Sequence, residues 1–377
     1  MMLSPLGGAL GAHFSSLEDP RADNKRHQLL DMIVIVICAA ICGADGWEDV
    51  ELFGRSKQKW FKRFLELPHG IPSHDTFGRV FALLDAEQFQ RCFIHWIQAI
   101  HQITQGQVIP IDGKKLRRSH DRRLGKEGIY MVSAWASENG VVLGQYKVDD
   151  KSNEITAIPE LLDMLELAGC IVTTDAIACQ REIAEKVIEN EADYVLAVKK
   201  NQKHLYQALH GLFAYPDEMA QVDLDYDKTV DKDHGRLEVR ECWTTSDAGY
   251  LDYIAQLSEW KGLQSITMVK SVRQIGSKRS AKVPYFISSL ESDARLMLHA
   301  VRTHWEIENK VHWVLDLVFR EDDCRIRTGN AAQNFAVFRH IALNLLRQEK
   351  TAKRSIRAKR LKAGWDHDYL LKVLTST

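Results

Sequence analysis

The chain has no excess of charge of either sign. Its 377 residues carry 50 lysines and arginines against 51 aspartates and glutamates, and the net charge is −1. A uniformly basic surface, which many nucleic-acid-binding proteins have, is therefore excluded. Any surface that binds nucleic acid must be formed by a local cluster of basic residues.

Paired cysteines are also absent. The seven cysteines are scattered, and no two of them form a CxxC pair. This odd and unpatterned number argues against a disulfide framework and predicts reduced thiols in a cytoplasmic protein. No HExxH pattern occurs either, which disfavours a zinc site, although His304 and His312 lie four residues to each side of Glu308.

No apolar run is long enough to cross a membrane. The most apolar segment, residues 32–44, has thirteen residues and predicts a buried core helix. It lies too far along the chain for a typical signal peptide. A glycine-rich phosphate loop of the GxxxxGK[ST] type is missing as well, so we do not expect the protein to use ATP.

The pattern of the sequence changes at Val108. Residues 1–100 show apolar positions at helical spacing, with Ser73 as the N-cap of one helix, and predict a helical domain. Strands are then predicted at 108–112, 130–137, 141–149, 170–176 and 193–199, with helices before and after the fourth. This order predicts an α/β fold with a mixed sheet flanked by helices. Further β-like runs at 202–284 precede a long helical stretch at about 294–317.

Three carboxylates stand out from their local pattern. Asp112 and Asp175 each end a predicted strand, where an acid is equally well explained as a turn residue or a helix N-cap. Glu308 lies on a helical wheel in the middle of an apolar face, between Val301 and Leu315, and is predicted to be buried. A buried carboxylate needs a cation, an ion-pair partner or a proton, so an ion pair with an arginine is one explanation.

A metal site would explain all three acids together. Mg²⁺ prefers oxygen ligands and is commonly held by a few carboxylates, water and substrate phosphate. Two such ions can support the displacement reaction at a phosphodiester. The sequence therefore predicts that Asp112, Asp175 and Glu308 hold two Mg²⁺ or Mn²⁺ ions.

Five motifs point to a known family: "IPIDGKKLRRS", "IVTTDAIACQ", "DYVLAVKKNQ", "DHGRLEVR" and "HWEIENKVHWVLDLVFREDDCRIR". Over nearly its whole length the chain resembles the DDE transposases of the IS4-like superfamily, most closely the ISAs1 group and the H-repeat-associated proteins. The resemblance implies an RNase H-like core, with Asp112 on its first strand, Asp175 after the fourth and Glu308 on a later helix. The implied divisions are an N-terminal helical domain (1–100), the core (101–201 and 291–348), a mainly β insertion (202–290) and a basic C-terminal tail (349–377).

The chain departs from the superfamily's signature around the glutamate, which is Tyr, two residues, Arg, three residues, Glu, six residues and Lys. Those four positions are occupied here by Val301, His304, Glu308 and Leu315. Only the glutamate matches. His304 is a candidate phosphate contact in place of the arginine, and Lys310 or Arg320 is a candidate replacement for the lysine.

Two segments are rich in basic residues. Residues 114–126 contain seven lysines and arginines and one acid, and residues 350–362 contain seven and no acid. The first follows Asp112 directly, so it is predicted to hold the DNA backbone beside the metals, whereas the second is equally well explained as a solvated face. The strand around "DHGRLEVR" is either a DNA contact or an ordinary exposed strand. The predicted DNA contacts are Lys114, Lys115, Arg117, Arg118, Arg122, Arg123, His234, Arg236, Arg240 and His304.

The predicted function is that of a metal-dependent DNA transposase, which cleaves the ends of an insertion element and joins them to target DNA. The expected partner is double-stranded DNA and not a membrane, and the resemblance implies a DNA-bound homodimer. The expected location is the cytoplasm, on the nucleoid when DNA is bound. Two alternatives are an RNase H-like nuclease without strand transfer and a catalytically silent, DNA-binding transposase remnant.

Overall fold

The computed structural model describes residues 10–22, 25–101, 104–120, 128–148, 153–233, 235–257 and 259–376. Within these residues the chain forms sixteen α-helices and ten β-strands, and all ten strands belong to one mixed sheet. The predicted fold class, an α/β fold with a mixed sheet flanked by helices, is confirmed.

Six helices precede the sheet: α1 (Leu10–Phe14), α2 (Leu29–Cys42), α3 (Trp47–Ser56), α4 (Gln58–Phe61), α5 (His74–Leu83) and α6 (Ala86–Ile100). Residues 32–41 of α2 are all buried, as predicted for a core helix, and Ser73 caps α5 by accepting a hydrogen bond from the backbone N–H of Thr76. No single helix in the described part of the chain is long and apolar enough to cross a membrane, while α2 and α3, bent by 97°, pass that test as a pair by length and composition alone.

The first half of the sheet has the RNase H-like arrangement. Its elements are β1 (Val108–Lys115), β2 (Tyr130–Ala136), β3 (Val141–Val148), α7 (Glu154–Asp163), β4 (Ile171–Thr174), α8 (Arg181–Glu189) and β5 (Asp193–Val198). The strand order is β3-β2-β1-β4-β5. β1, β4 and β5 are parallel, whereas β2 and β3 form an antiparallel hairpin that continues from β1.

The predicted insertion continues the same sheet. It contains α9 (Lys203–Phe213), α10 (Pro216–Met219), β6 (Asp225–Asp233), β7 (Arg236–Thr245), α11 (Ala248–Leu257), β8 (Ser265–Ile275), β9 (Lys278–Lys282) and β10 (Tyr285–Ser288). β10 pairs antiparallel with β5 on one side and with β8 on the other. The order beyond β5 is β10-β8-β7-β6, with β9 paired to β8.

Helices form the rest of the chain. They are α12 (Ala294–His304), a π-helical turn (Ile307–His312), α13 (Trp313–Leu317), a 3₁₀ turn (Glu321–Asp323), α14 (Ala331–Gln348), α15 (Ile356–Trp365) and α16 (His367–Leu374). Residues 349–377 thus differ from the basic tail that the sequence predicted, because α15 and α16 pack on the core. The buried Arg360 of α15 donates to the carbonyl oxygen of Ala40 in α2 and lies over the ring of Phe319.

The buried helix α14 connects the N-terminal helices to the sheet. Its Asn334 donates to the carbonyl oxygen of Phe81 in α5, at 2.9 Å. Its Asn344 exchanges two hydrogen bonds of 2.9 Å with the backbone of Val142 in β3. Both amides are buried, so these bonds satisfy backbone groups that water cannot reach. The N-terminal helices and the sheet consequently share one hydrophobic core.

Candidate metal centre

Two acidic residues lie side by side at one edge of the parallel strands. The ladder between β1 and β4 ends with Ile111 opposite Thr174, and the next residues are Asp112 and Asp175. Neighbouring strands are about 4.8 Å apart, so the two residues are adjacent. Asp175 follows the last residue of its strand, as predicted. The prediction that Asp112 ends β1 is wrong, because β1 stays paired to β2 as far as Lys115.

Glu308 belongs to the π-helical turn between α12 and α13. Its side chain is 59% exposed, so the prediction of a buried carboxylate is wrong. A π-helical turn holds more residues than an α-helical turn, and an α-helical wheel therefore gives the wrong directions for its side chains. Val301 and Leu315, which the wheel placed beside Glu308, are buried as expected.

Glu308 nevertheless meets Asp112. One ligand atom each from Asp112, Glu308 and His312 lie within 4.8 Å of one another. The Nδ1 atom of His312 is 3.1 Å from Glu308 Oε2 and 3.5 Å from Asp112 Oδ2. The imidazole is buried, and its Nε2 atom has no hydrogen-bond partner among the described residues. The sequence had placed His312 near Glu308 but had not assigned it a role.

The electrostatics of the cluster favour a bound cation. Burial raises the pKa of Asp112 to about 6, against the opposing effects of His312 and the Gly113 backbone N–H, and the charge of Asp175 raises it further. The hydrogen bond with His312 holds the pKa of Glu308 below its ordinary value. Carboxylate oxygens are the ligands that Mg²⁺ and Mn²⁺ prefer, so this set of donors fits such an ion.

A fourth carboxylate, Glu154, adjoins the cluster and was missed from the sequence. It is the first residue of α7, only 8% exposed, and accepts a hydrogen bond from the hydroxyl of Tyr130. A Cβ atom on Gly113 would lie 2.5 Å from Glu154 Oε1, so the carboxylate packs directly on the glycine after Asp112. Burial raises the pKa of Glu154, and the charge of Asp175 acts in the same direction. The signal in the sequence was Gly113 itself, a small residue inside a strand where another group approaches closely.

His304, the predicted phosphate contact, is half-buried at the end of α12 and contacts β4. Its Nδ1 atom is 3.1 Å from the hydroxyl of Thr173 in β4. Burial lowers the pKa of His304 to about 4, although the charge of Asp175 opposes that shift. A neutral imidazole has no positive charge to attract DNA phosphate, so His304 has a position that favours contact with Thr173 over contact with phosphate.

The basic segment after Asp112 is paired with acidic residues. The ammonium of Lys114, whose side chain is 12% exposed, binds Asp316 of α13 and Glu321 of the 3₁₀ turn. Arg117 pairs with Asp322 at 3.2 Å and Arg118 with Asp323 at 3.4 Å, while Lys115 is exposed. Lys114 therefore connects the strand of Asp112 to the helix that follows Glu308, and it differs from the predicted DNA contact because its charge is already neutralised.

The other predicted DNA contacts are spread over the molecule. Arg236 and Arg240 share a strand face with Glu238, as predicted, and pair with it at 3.6 and 2.6 Å. Arg240 also pairs with Asp231. Of the two candidates for the signature lysine, Lys310 pairs with Glu306, and Arg320 pairs with Asp45 and Asp323. Arg122, Arg123 and His234 lie outside the described residues.

The sequence matches two family models. The model described as "Transposase DDE domain" matches residues 80–345, and a second, described as "DDE_Tnp_1-associated", matches residues 11–97. The first covers well over half of the chain, including both acidic strands and the turn of Glu308. The chain therefore belongs to the DDE transposase family.

Individual relatives agree with this assignment. The chain is 41% identical to the H repeat-associated putative transposase YhhI of Escherichia coli K12, covering 97% of each protein. It is 42% identical to the putative transposase YncI of Escherichia coli O157:H7, covering 97% of this chain and 94% of that protein. A cryo-EM structure of a piggyBac transposase synaptic complex with hairpin DNA aligns with a TM-score of 0.45 at 13% identity, over 96% of this chain and 76% of that one.

Proposed function

We propose that this protein is a DNA transposase that cleaves and joins phosphodiester bonds with divalent metal ions, Mg²⁺ or Mn²⁺, held by Asp112, Asp175 and Glu308. The observation that carries the proposal is the meeting of Asp112 and Glu308 around His312, with ligand atoms within 4.8 Å. Asp175, the residue after the adjacent strand β4, is the third proposed carboxylate, and its oxygen atoms are not part of that group of ligand atoms. When bound, a pair of such ions activates the attacking oxygen and stabilises the leaving oxygen of a phosphodiester.

The surrounding residues hold these carboxylates in place. His312 lies between Asp112 and Glu308 and contacts both through one nitrogen atom. Lys114 fixes β1 to α13 through Asp316 and to the 3₁₀ turn through Glu321. Arg347 of α14 donates to the carbonyl oxygen of Lys310 inside the π-helical turn. Such fixed positions matter because reaction at a phosphodiester depends on the alignment of the reacting atoms.

The proposed substrate is double-stranded DNA, first at the ends of the element and then at the target site. The relatives are named as transposases, which supports this choice. Joining two ends to one target requires that both ends be held together, so we expect a DNA-bound homodimer. The expected site of action is the cytoplasm, on the nucleoid.

The test is a cleavage and joining assay on a plasmid that carries the element with its flanking DNA, in Mg²⁺ or Mn²⁺. Asp112→Ala and Glu308→Ala should each lower cleavage by about 10³-fold or more, because each removes part of a unit that acts together. DNA binding should persist in both variants. Asp163→Ala, which removes a half-exposed carboxylate of α7 that pairs with Lys186, is the matched control and should cleave normally. Full cleavage by the Asp112→Ala protein would refute the assignment.

The same assay separates the alternatives. Joined products identify a transposase, and cleaved but unjoined DNA identifies a nuclease. Binding without cleavage in either metal identifies a silent remnant. The remnant has one observation in its favour: Val301 and Leu315, which replace the tyrosine and lysine of the superfamily signature, are only 8% and 2% exposed and cannot contact DNA.

A further inference from the structure

A basic cleft lies beside the helical turn that carries Glu308. It has a volume of about 620 Å³ and is formed by the β2–β3 turn, the π-helical turn, the end of α14 and the segment from there into α15. Six basic side chains line it, and no acidic side chain is among its described lining residues: Lys310, Arg347, Lys350, Lys353, Arg354 and Lys359. Lys310 is two residues beyond Glu308 in the same turn.

Two of the six residues build the walls of the cleft. Arg347 lies over the ring of Trp135 at 4.3 Å and donates to the carbonyl oxygens of Gly140 and Lys310. Lys359 is buried and donates to the carbonyl oxygens of Leu346 and Glu349 at the end of α14. These cations are used in holding the hairpin, the turn of Glu308 and α15 together.

The other four basic side chains of the cleft are available to a ligand. Lys350, Lys353 and Arg354 are exposed, and within the described parts of the chain none of them has a carboxylate within ion-pair distance. Lys310 pairs with Glu306 at 2.7 Å but is still 49% exposed. Cations that are close together without acidic partners repel one another, and an anion that binds between them relieves that repulsion.

The loop that presents these three cations is held in one conformation. The buried carboxylate of Glu349 accepts hydrogen bonds from the backbone N–H groups of Thr351 and Ala352 and from the hydroxyl of Tyr369. Ser355 then caps α15 by accepting from the backbone N–H of Ala358. A loop that is already ordered loses little conformational entropy on binding, which favours affinity.

We propose that the basic cleft binds the phosphate backbone of DNA next to the bond that is cut. This inference rests on the proposed function, because the choice of DNA as the polyanion follows from the shared turn with Glu308. The segment 350–354, and not the paired segment 114–118, then supplies the main phosphate contacts among the described residues. Lysine and arginine contacts to phosphate would make this binding insensitive to DNA sequence and sensitive to salt.

The test compares two variants of the full chain that each lose three positive charges. One is Lys350→Gln/Lys353→Gln/Arg354→Gln, and the matched control is Lys278→Gln/Arg279→Gln/Lys282→Gln on the exposed strand β9, at the other end of the sheet. Fluorescence anisotropy with a short duplex of arbitrary sequence gives the dissociation constant at several salt concentrations. For the cleft variant we expect about tenfold weaker binding or more, and a salt slope smaller by about 2 to 3, because each lost phosphate contact contributes about 0.9. The control should bind as the wild type does, and unchanged melting temperatures would show that both variants are folded.

Each outcome decides the matter. Equal losses in the cleft variant and the control would overturn the inference, because they would reflect net charge alone. The inference would also be overturned if the cleft variant bound DNA with wild-type affinity. This holds even if calorimetry shows that the cleft of the wild type binds inorganic phosphate. If the cleft variant loses affinity while the wild type never cleaves the element, DNA binding by the cleft is supported and the proposed catalysis fails. If the wild type cleaves the element and the cleft variant binds DNA normally, the proposed catalysis is supported and the inference about the cleft fails.

Discussion

The two basic segments of this chain have equal numbers of lysines and arginines but opposite surroundings. In the first, Lys114, Arg117 and Arg118 meet the acidic turn Glu321–Asp323, with each cation next to one of its carboxylates. In the second, the exposed residues Lys350, Lys353 and Arg354 meet no carboxylate in the described structure.

The difference shows that the number of charges in a segment does not decide what the segment does. The paired cations hold the end of β1 and the residues after it against the 3₁₀ turn, whereas the unpaired ones leave a positive potential at the surface. A phosphate that binds a paired arginine must first displace its carboxylate, and it gains less as a result. Three predictions test this contrast, and each changes the acidic residues that hold or pair with one of the two segments.

The largest effect is expected from replacing Glu321, the buried carboxylate that pairs with Lys114 of the first segment. Glu321 is only 3% exposed and pairs with Lys114 at 2.6 Å and with the buried Arg339 at 3.7 Å. Glu321→Gln should lower the free energy of unfolding by about 3 kcal/mol or more, because it removes the carboxylate that pairs with the buried Arg339 and leaves Lys114 with Asp316 alone. Urea-induced unfolding measures this change.

The control for this prediction is Asp323→Asn, which lies two residues further along the same turn and is half-exposed. It loses ion pairs with Arg118 and Arg320 at the surface and should change the free energy of unfolding by about 0.5 kcal/mol or less. A loss of similar size in both variants would show that the buried network does not fix the first segment.

A smaller effect is expected from replacing Glu349, the buried carboxylate that holds the loop of the second segment. Burial alone would raise the pKa of Glu349, but its hydrogen bonds from Thr351, Tyr369 and Ala352 outweigh burial and lower the pKa to about 2. Glu349→Gln weakens those bonds and should cost about 1 to 3 kcal/mol of unfolding free energy at pH 7. It should also weaken DNA binding, because the loop of Lys350 is no longer held.

The stabilising effect of Glu349 should depend on pH. A carboxyl group with a lowered pKa stabilises the folded state at pH values above its ordinary value of 4.5, and that contribution is lost as the pH falls toward 2. The difference in unfolding free energy between wild type and Glu349→Gln should therefore be full above about pH 5 and shrink at lower pH. A difference that stays constant from pH 7 to pH 3 would contradict the role assigned to this carboxylate.

The smallest effect is expected from releasing the first segment. Asp322→Asn/Asp323→Asn removes the partners of Arg117 and Arg118 and should strengthen DNA binding by about two- to fivefold at low salt. The gain should disappear at high salt, where exposed charges are screened. Unchanged affinity at low salt would indicate that these two arginines do not reach DNA even when they are free.

Much of the fold could be predicted from local patterns. The hairpin of β2 and β3, the strands β4 and β5 and the buried helix α2 lie where alternation and apolar runs indicated. The extent of β1 could not be predicted, because residues 113–115 are polar or glycine and remain in a strand only through pairing with β2. Glu308 was placed on the wrong face because no local signal marks a π-helical turn, and α-helical spacing fails there.

The sequence by itself determined which residues can do chemistry: two acids after apolar strands, a third on a distant helix and two clusters of basic residues. These follow from residue type and spacing, which are local properties. Only the tertiary structure decided that His312 and Glu154 adjoin the acids, and that one basic cluster is neutralised while the other is not. The partner of Lys114 is Glu321, 207 residues further along the chain, and a charge is available for binding only if folding brings no opposite charge to it.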